Sequence, residues 1–214
     1  TLSSSSAASD VYKRQGTTYS KTEPIQAAFF GFILLNEPIS LMGLIGILLG
    51  LAGVVVTSYS KFKNISSAFN YSVLLGLCSG ALFGLSAVLF RAASHDLYVS
   101  NYILSSAFTL LVVIFIQTIV LTFYIYYIDI KQFYLILCNW KYGIIVGFFG
   151  ALASLCWFYA MSIQNVAYVR ALGQIELVFT LLVSIFYFKE KISINEIIGI
   201  GITMTGILII LMYV

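Results

Sequence analysis

Long apolar runs alternate along this chain with polar breaks of only a few residues, and the runs have the length a bilayer selects. A helix needs about 20 apolar residues to cross roughly 30 Å of hydrocarbon. Seven spans meet that pattern: Thr17–Leu35, Leu41–Tyr59, Tyr71–Arg91, Tyr102–Tyr127, Tyr142–Ile163, Val166–Phe188 and Asn195–Val214. Asn36-Glu37-Pro38 and Lys189-Glu190-Lys191 are tight turns inside the first and last pairs. Phe133–Cys138 is apolar but short, which predicts a piece lying at the membrane surface rather than a crossing. Tyr124, Tyr126 and Tyr127 close the fourth span as an aromatic belt. The pattern predicts an all-α polytopic membrane protein, since a β-barrel would show short alternating strands.

The spans are not independent of one another. Glu23 to Val56 reappears without a gap as Glu176 to Ile209, an offset of 153 residues. Glu23/Glu176, Glu37/Glu190, Ser40/Ser193, Gly46/Gly199 and Gly53/Gly206 are identical pairs. Duplication in so apolar a chain points to a transporter. The second copy has three spans before its repeated pair, and their counterparts in the first copy would fall before residue 1. The expectation is therefore a ten-helix inverted repeat, five plus five, of which this chain carries about seven helices. Residues 16–60 would be the last two helices of the first repeat, 61–70 a linker, and 71–214 the complete second repeat.

Composition narrows the picture further. The chain is 61% hydrophobic and 9% charged, too few charges to cover a soluble domain of 214 residues. A formal net charge of +3 gives no reason to expect nucleic acid as a partner. Cys78, Cys138 and Cys156 show neither disulfide nor metal spacing, and no cofactor motif is present. Asp10 to Gln15 is the hexapeptide that a transposase end sequence from sequencing libraries would encode, so residues 1–15 are set aside as a non-native leader.

Gly76, Gly80 and Gly84, Gly46 and Gly50, and Gly143, Gly147 and Ala151 each recur at four-residue spacing. Small residues so placed let helix backbones approach in lipid, so each set reads as a packing seam.

Both repeated pairs resemble the EamA repeat of the drug/metabolite transporter superfamily. The residues that carry the resemblance are Glu23-Pro24, Glu37-Pro38, Gly46 and Gly53, then Glu176-Leu177, Glu190, Gly199 and Gly206. Leu177 departs from the proline often found there. The resemblance implies two five-helix halves of opposite orientation, in a cell membrane of the bacterial inner-membrane kind, moving small organic solutes. It also implies cytoplasmic ends, whereas the lysine-rich breaks fall on one side and argue the reverse.

A charge within the membrane costs at least about 2.5–3.5 kcal/mol on insertion scales, so each needs a reason. Glu176 lies roughly 15 Å into its span at 1.5 Å per residue, and Glu23 is its mate. One reading gives the pair a watered cavity that binds an amine-bearing or cationic solute or exchanges a proton. The other has each acid tied to a neighbouring helix, joining the halves. Arg170 and Gln174, four apart, share a helix face. Arg170 either meets an anionic group at a cavity mouth or reaches the headgroups. Gln26, Ser154, Trp157 and Tyr168 complete the candidate substrate-binding set, with Gln117 and Tyr159 behind them. Glu37 and Glu190 are expected to cap the helices that follow, and His95 to be a solvated loop residue. There is no GxSxG, no HExxH and no metal set, so enzyme chemistry finds no machinery. A metabolite exporter working by alternating access is the leading expectation, and a non-transporting scaffold or sensor is its rival.

Overall fold

In the computed structural model, residues 21–59, 71–97, 101–187, 189 and 193–213 are described. The expected leader (1–15), the first residues of the expected opening span, the expected linker (61–70) and Glu190 lie outside them. The described residues are all-helical, with no strand among them. In chain order the helices are α1 (Glu23–Leu35), α2 (Leu41–Tyr59), α3 (Tyr71–Asp96), α4 (Tyr102–Ile128), α5 (Ile130–Cys138), α6 (Trp140–Ile163), α7 (Val166–Gly173), α8 (Glu176–Phe186) and α9 (Ile194–Tyr213). Among the described residues four stretches are long and apolar enough to cross a membrane: Leu74–Asp96, Tyr102–Ile128, Gly143–Ile163 and Ile194–Tyr213. Glu23–Leu35 and Leu41–Thr57 are apolar but shorter. The sixth expected span is not continuous, because one turn around Gln174 divides it into α7 and α8. The protein is a polytopic helical membrane protein.

Contacts divide the chain into two compact units, Thr1–Val88 with Asn165–Val214, and Leu89–Gln164.

In the first unit the two repeat copies have the same local backbone. Asn36 and Lys189, 153 residues apart, are the two non-glycine residues with positive φ among those described, at 53° and 52°. Asn36 ends α1 in the left-handed conformation, and the N–H groups of Asn36 and Glu37 both turn back to Gly31 O, the latter at 3.3 Å. The following helices start at mates as well, α2 at Leu41 and α9 at Ile194. Ser40 Oγ accepts from Gly43 N–H at 3.0 Å, and its mate Ser193 Oγ accepts from Glu196 N–H at 3.3 Å. Glu196 returns a carboxylate oxygen to Ser193 N–H at 3.0 Å, a capping box. The serine adjoining α2 thus supplies the cap expected of Glu37, because an N-cap must directly precede the helix it serves.

Helices α2 and α9 pack along their glycines. A Cβ on Gly46 would stand 2.6 Å from the Ile210 side chain and 2.9 Å from Gly206 O. At the other end, Gly199 faces Thr57 and Gly53 O in the same way. The 153-residue offset carries Gly46 to 199 and carries Ile210 and Gly206 back to 57 and 53, so one contact is the other with the copies exchanged. Rising numbers on α2 meet falling numbers on α9, so the helices are antiparallel. Repeat mates that run antiparallel across a self-complementary seam make an inverted repeat. Beside the seam, Ile47, Ala167, Tyr168, Ala171 and Ile210 form a buried core, with Ile25, Ala28, Ile39 and Leu172 packed against it. Gly84 of α3 backs onto α1, where its Cβ would lie 3.1 Å from Ala27 N.

The second unit holds the end of α3 with α4, α5 and α6. Phe90 and Phe158 stack at 4.4 Å between ring centroids. Arg91 Nη1 donates to Met161 O at 2.6 Å and to Gln164 O at 2.8 Å, and His95 Nε2 lies 3.0 Å from Ser162 O. Arg91 and His95, one turn apart on α3, thus close the carbonyl end of α6, where a cation is favoured. His95 is consequently a helical residue and not a loop one, since that engagement carries α3 through to Asp96. Ser106 Oγ donates to Ser162 Oγ at 3.0 Å, and the Ser94 and Ser105 hydroxyls lie 2.9 Å apart. Helix α5 buries no residue and is capped by Asp129, in keeping with a surface segment. The stripe expected to be a seam on α6 is otherwise: a Cβ on Gly143 or Gly147 meets nothing within 4 Å. Its neighbours Ile144, Val146 and Phe148 are exposed, the ordinary state of a lipid-facing surface.

Candidate functional site

The interruption in the sixth span sets up the polar centre of the first unit. Gln174 N–H bonds to Ala171 O and Ile175 N–H to Leu172 O, both at 3.1 Å, and Leu177 and Val178 continue with bonds to Gln174 O and Ile175 O at 3.0 Å. These three-residue steps replace the four-residue ladder, so α7 ends at Gly173 and α8 begins at Glu176. In the first copy Lys21 and Thr22 form a turn at the equivalent place, and α1 begins at Glu23. Each repeated glutamate therefore stands in the first turn of a helix, where the positive end of the backbone dipole favours a carboxylate.

Each also reaches across to the other copy. Glu23 Oε1 lies 2.9 Å from Arg170 Nε, with these side chains only 20% and 19% exposed, at an angle outside hydrogen-bond geometry. Glu176 pairs with Lys21 in a more open position, at 59% and 33% exposure. Arg170 thus turns to an acid of the protein, and each of these four charges has a counter-charge from the opposite copy. Where the copies cross, Gln174 Nε2 donates to Lys21 O across 3.5 Å. Lys21 and Gln174 are themselves repeat mates, so this pair marks the pseudo-two-fold axis.

Two amides complete the cluster. Gln174 is buried, at 4% exposure, and Gly50 leaves the space its Oε1 occupies. Gln26, one turn beyond Glu23, donates through Nε2 to Leu77 O at 3.3 Å. Neither amide oxygen accepts a hydrogen bond among the described residues.

Of the candidate residues, Glu23, Gln26, Arg170, Gln174 and Glu176 share this region of the first unit. Tyr168 is buried there too, but its hydroxyl accepts from Ser40 N–H at 2.9 Å and its ring fills the space opposite Gly43, which commits it to the α1–α2 turn. Ser154 is half-buried and Trp157 exposed on α6, in the second unit. Lys21 was missed by sequence reasoning, because it precedes the repeated block and looked like a border lysine. Arg91 was missed because its partners are backbone carbonyls, which leave no motif. Among the described residues no group of three or more histidine, cysteine or acidic side chains could hold a metal.

A duplicated helical membrane protein whose antiparallel copies meet beside a broken helix and buried charge has the architecture of a membrane transporter. The comparison of families agrees: residues 2–59 and 70–212 match the EamA-like transporter family, and the chain belongs to it. It is accordingly a membrane transporter of the drug/metabolite type, with a small-molecule substrate and the lipid bilayer as its partners. No curated protein matches the chain.

Proposed function

We propose that this protein is a secondary transporter that carries small organic metabolites, amino-acid-like or drug-like, across a cell membrane by alternating access. The binding site in this reading is the cluster of Glu23, Gln26, Arg170, Gln174 and Glu176. The observation that supports it is the meeting of Lys21 and Gln174, repeat mates in the turns that precede α1 and α8, beside buried charge. Inverted-repeat carriers place substrate at the repeat interface near the midplane, where discontinuous helices expose backbone and charge. A carboxylate at that point, released from its cation, could also take a coupling proton.

The test is flux. The full-length protein is reconstituted in liposomes, and exchange of a mixed pool of amino-acid-like and drug-like solutes is followed by mass spectrometry under proton and solute gradients. Solute movement that Glu176→Gln abolishes while the melting temperature holds supports a carrier. No movement under any gradient overturns it, and loss of folding with Glu176→Gln supports the scaffold reading instead.

A further inference from the structure

The bonding state of the two buried amides indicates which chemistry the site takes, on the footing that the cluster is a binding site as proposed above. Gln26 and Gln174 both have their NH2 ends fixed on backbone carbonyls, of Leu77 and Lys21. That contact assigns which end of each amide is oxygen. Among the described residues both oxygens are left without a donor, and Gln174 is almost wholly buried. A buried acceptor that gives up water for nothing is costly, so such atoms call for a donor.

The charges nearby do not supply one. Arg170 is turned to Glu23 and Lys21 to Glu176, so the four ionic groups sum to zero. A cation that carries no N–H, such as a quaternary ammonium, gains no net attraction from these paired charges and brings neither amide oxygen a donor. A solute with no charge overall but with N–H groups would meet them, and a zwitterion could in addition lay its carboxylate towards Arg170. We infer that Gln26 Oε1 and Gln174 Oε1 select net-neutral solutes carrying N–H donors, and reject cations or zwitterions whose nitrogen bears no hydrogen.

Titration calorimetry on the detergent-solubilised full-length protein separates the possibilities. The probes are leucine, N,N,N-trimethyl-leucine, which keeps the zwitterion but loses every N–H, and 4-methylpentanoate, which has no nitrogen. Leucine is expected to bind at least tenfold more tightly than the other two, and the near-isosteric Gln174→Met to abolish that preference. Gln26→Met provides the same reading should Gln174→Met fail to fold. Equal affinity for leucine and its trimethyl derivative, no binding of leucine, or a preference that survives both substitutions overturns the inference. The transport reading fails separately: selective binding without flux sinks the carrier and spares the amides, whereas equal flux of both zwitterions does the reverse.

Discussion

Gly206→Ala would place a methyl carbon 2.6 Å from Gly46 O and 2.7 Å from Gly50 N. Both are backbone atoms in the middle of α2, so no side chain can swing aside. Ordinary contact begins near 3.5 Å, a deficit of roughly 0.9 Å that α2 and α9 can meet only by separating. Overpacking of this kind costs about 1–3 kcal/mol, and close helix approach is itself the main source of cohesion between helices in lipid. Gly147→Ala is the matched control, since nothing lies within 4 Å of that position. There the substitution should only favour the helix, by up to about 1 kcal/mol. The two variants are predicted to shift stability in opposite directions. Thermal melting of the purified protein, followed by static light scattering in one detergent, reads both. At roughly 2–4 °C per kcal/mol for a chain of this size, Gly206→Ala should melt several degrees lower and Gly147→Ala no lower than the parent. If Gly206→Ala is as stable as Gly147→Ala, the antiparallel seam is not a close one and the inverted-repeat argument loses its geometric support.

The same logic extends to other positions. Arg91→Ala removes two hydrogen bonds from the carbonyl end of α6 and should destabilise by about 1–3 kcal/mol, with partial recovery in Arg91→Lys; an unchanged melt would refute the capping role. Ser40→Ala and Ser193→Ala each remove an N-cap and should cost about 1 kcal/mol apiece, roughly additively in the double variant because the sites cap different helices; strong non-additivity would contradict that. Lys21→Glu combined with Glu176→Lys reverses an exposed pair and should stay within about 1 kcal/mol of the parent. Glu23→Gln takes away the partner of a mostly buried Arg170 and should cost more than Glu176→Gln; the reverse order in chemical denaturation would show that the Glu23–Arg170 pair is not the buried one.

Much of this was legible in the residues because it depended on period and repetition. Apolar run lengths placed α2 and α9 to within a residue, and the 153-residue offset anticipated mates that share a left-handed turn at Asn36 and Lys189. The glycine spacing, by contrast, foretold a seam in three helices and was right only where a partner backbone lies opposite. Gly46 and Gly84 have one, while Gly143 and Gly147 face nothing within 4 Å among the described residues, and spacing cannot say what lies across from it. The break at Gln174 was hidden because no proline or glycine pair marks it; Gly173 is a weak signal in an otherwise apolar run. Pairing partners were hidden for a related reason. Arg170 with Glu23 and Lys21 with Glu176 join residues about 150 positions apart, and only the antiparallel crossing of the copies brings them together.

At the two ends of the α2–α9 seam, equivalent places are filled by different residues, Thr57 at one and Ile210 at the other. Two separate identical polypeptides docking about a two-fold axis would be forced to put the same side chain in both positions. Covalent linkage lifts that compulsion, so a hydroxyl can serve one membrane leaflet while a hydrocarbon serves the opposite one. Fusion thereby converts a symmetric junction into a polarised one, and a polarised junction can behave differently towards the two sides of the membrane.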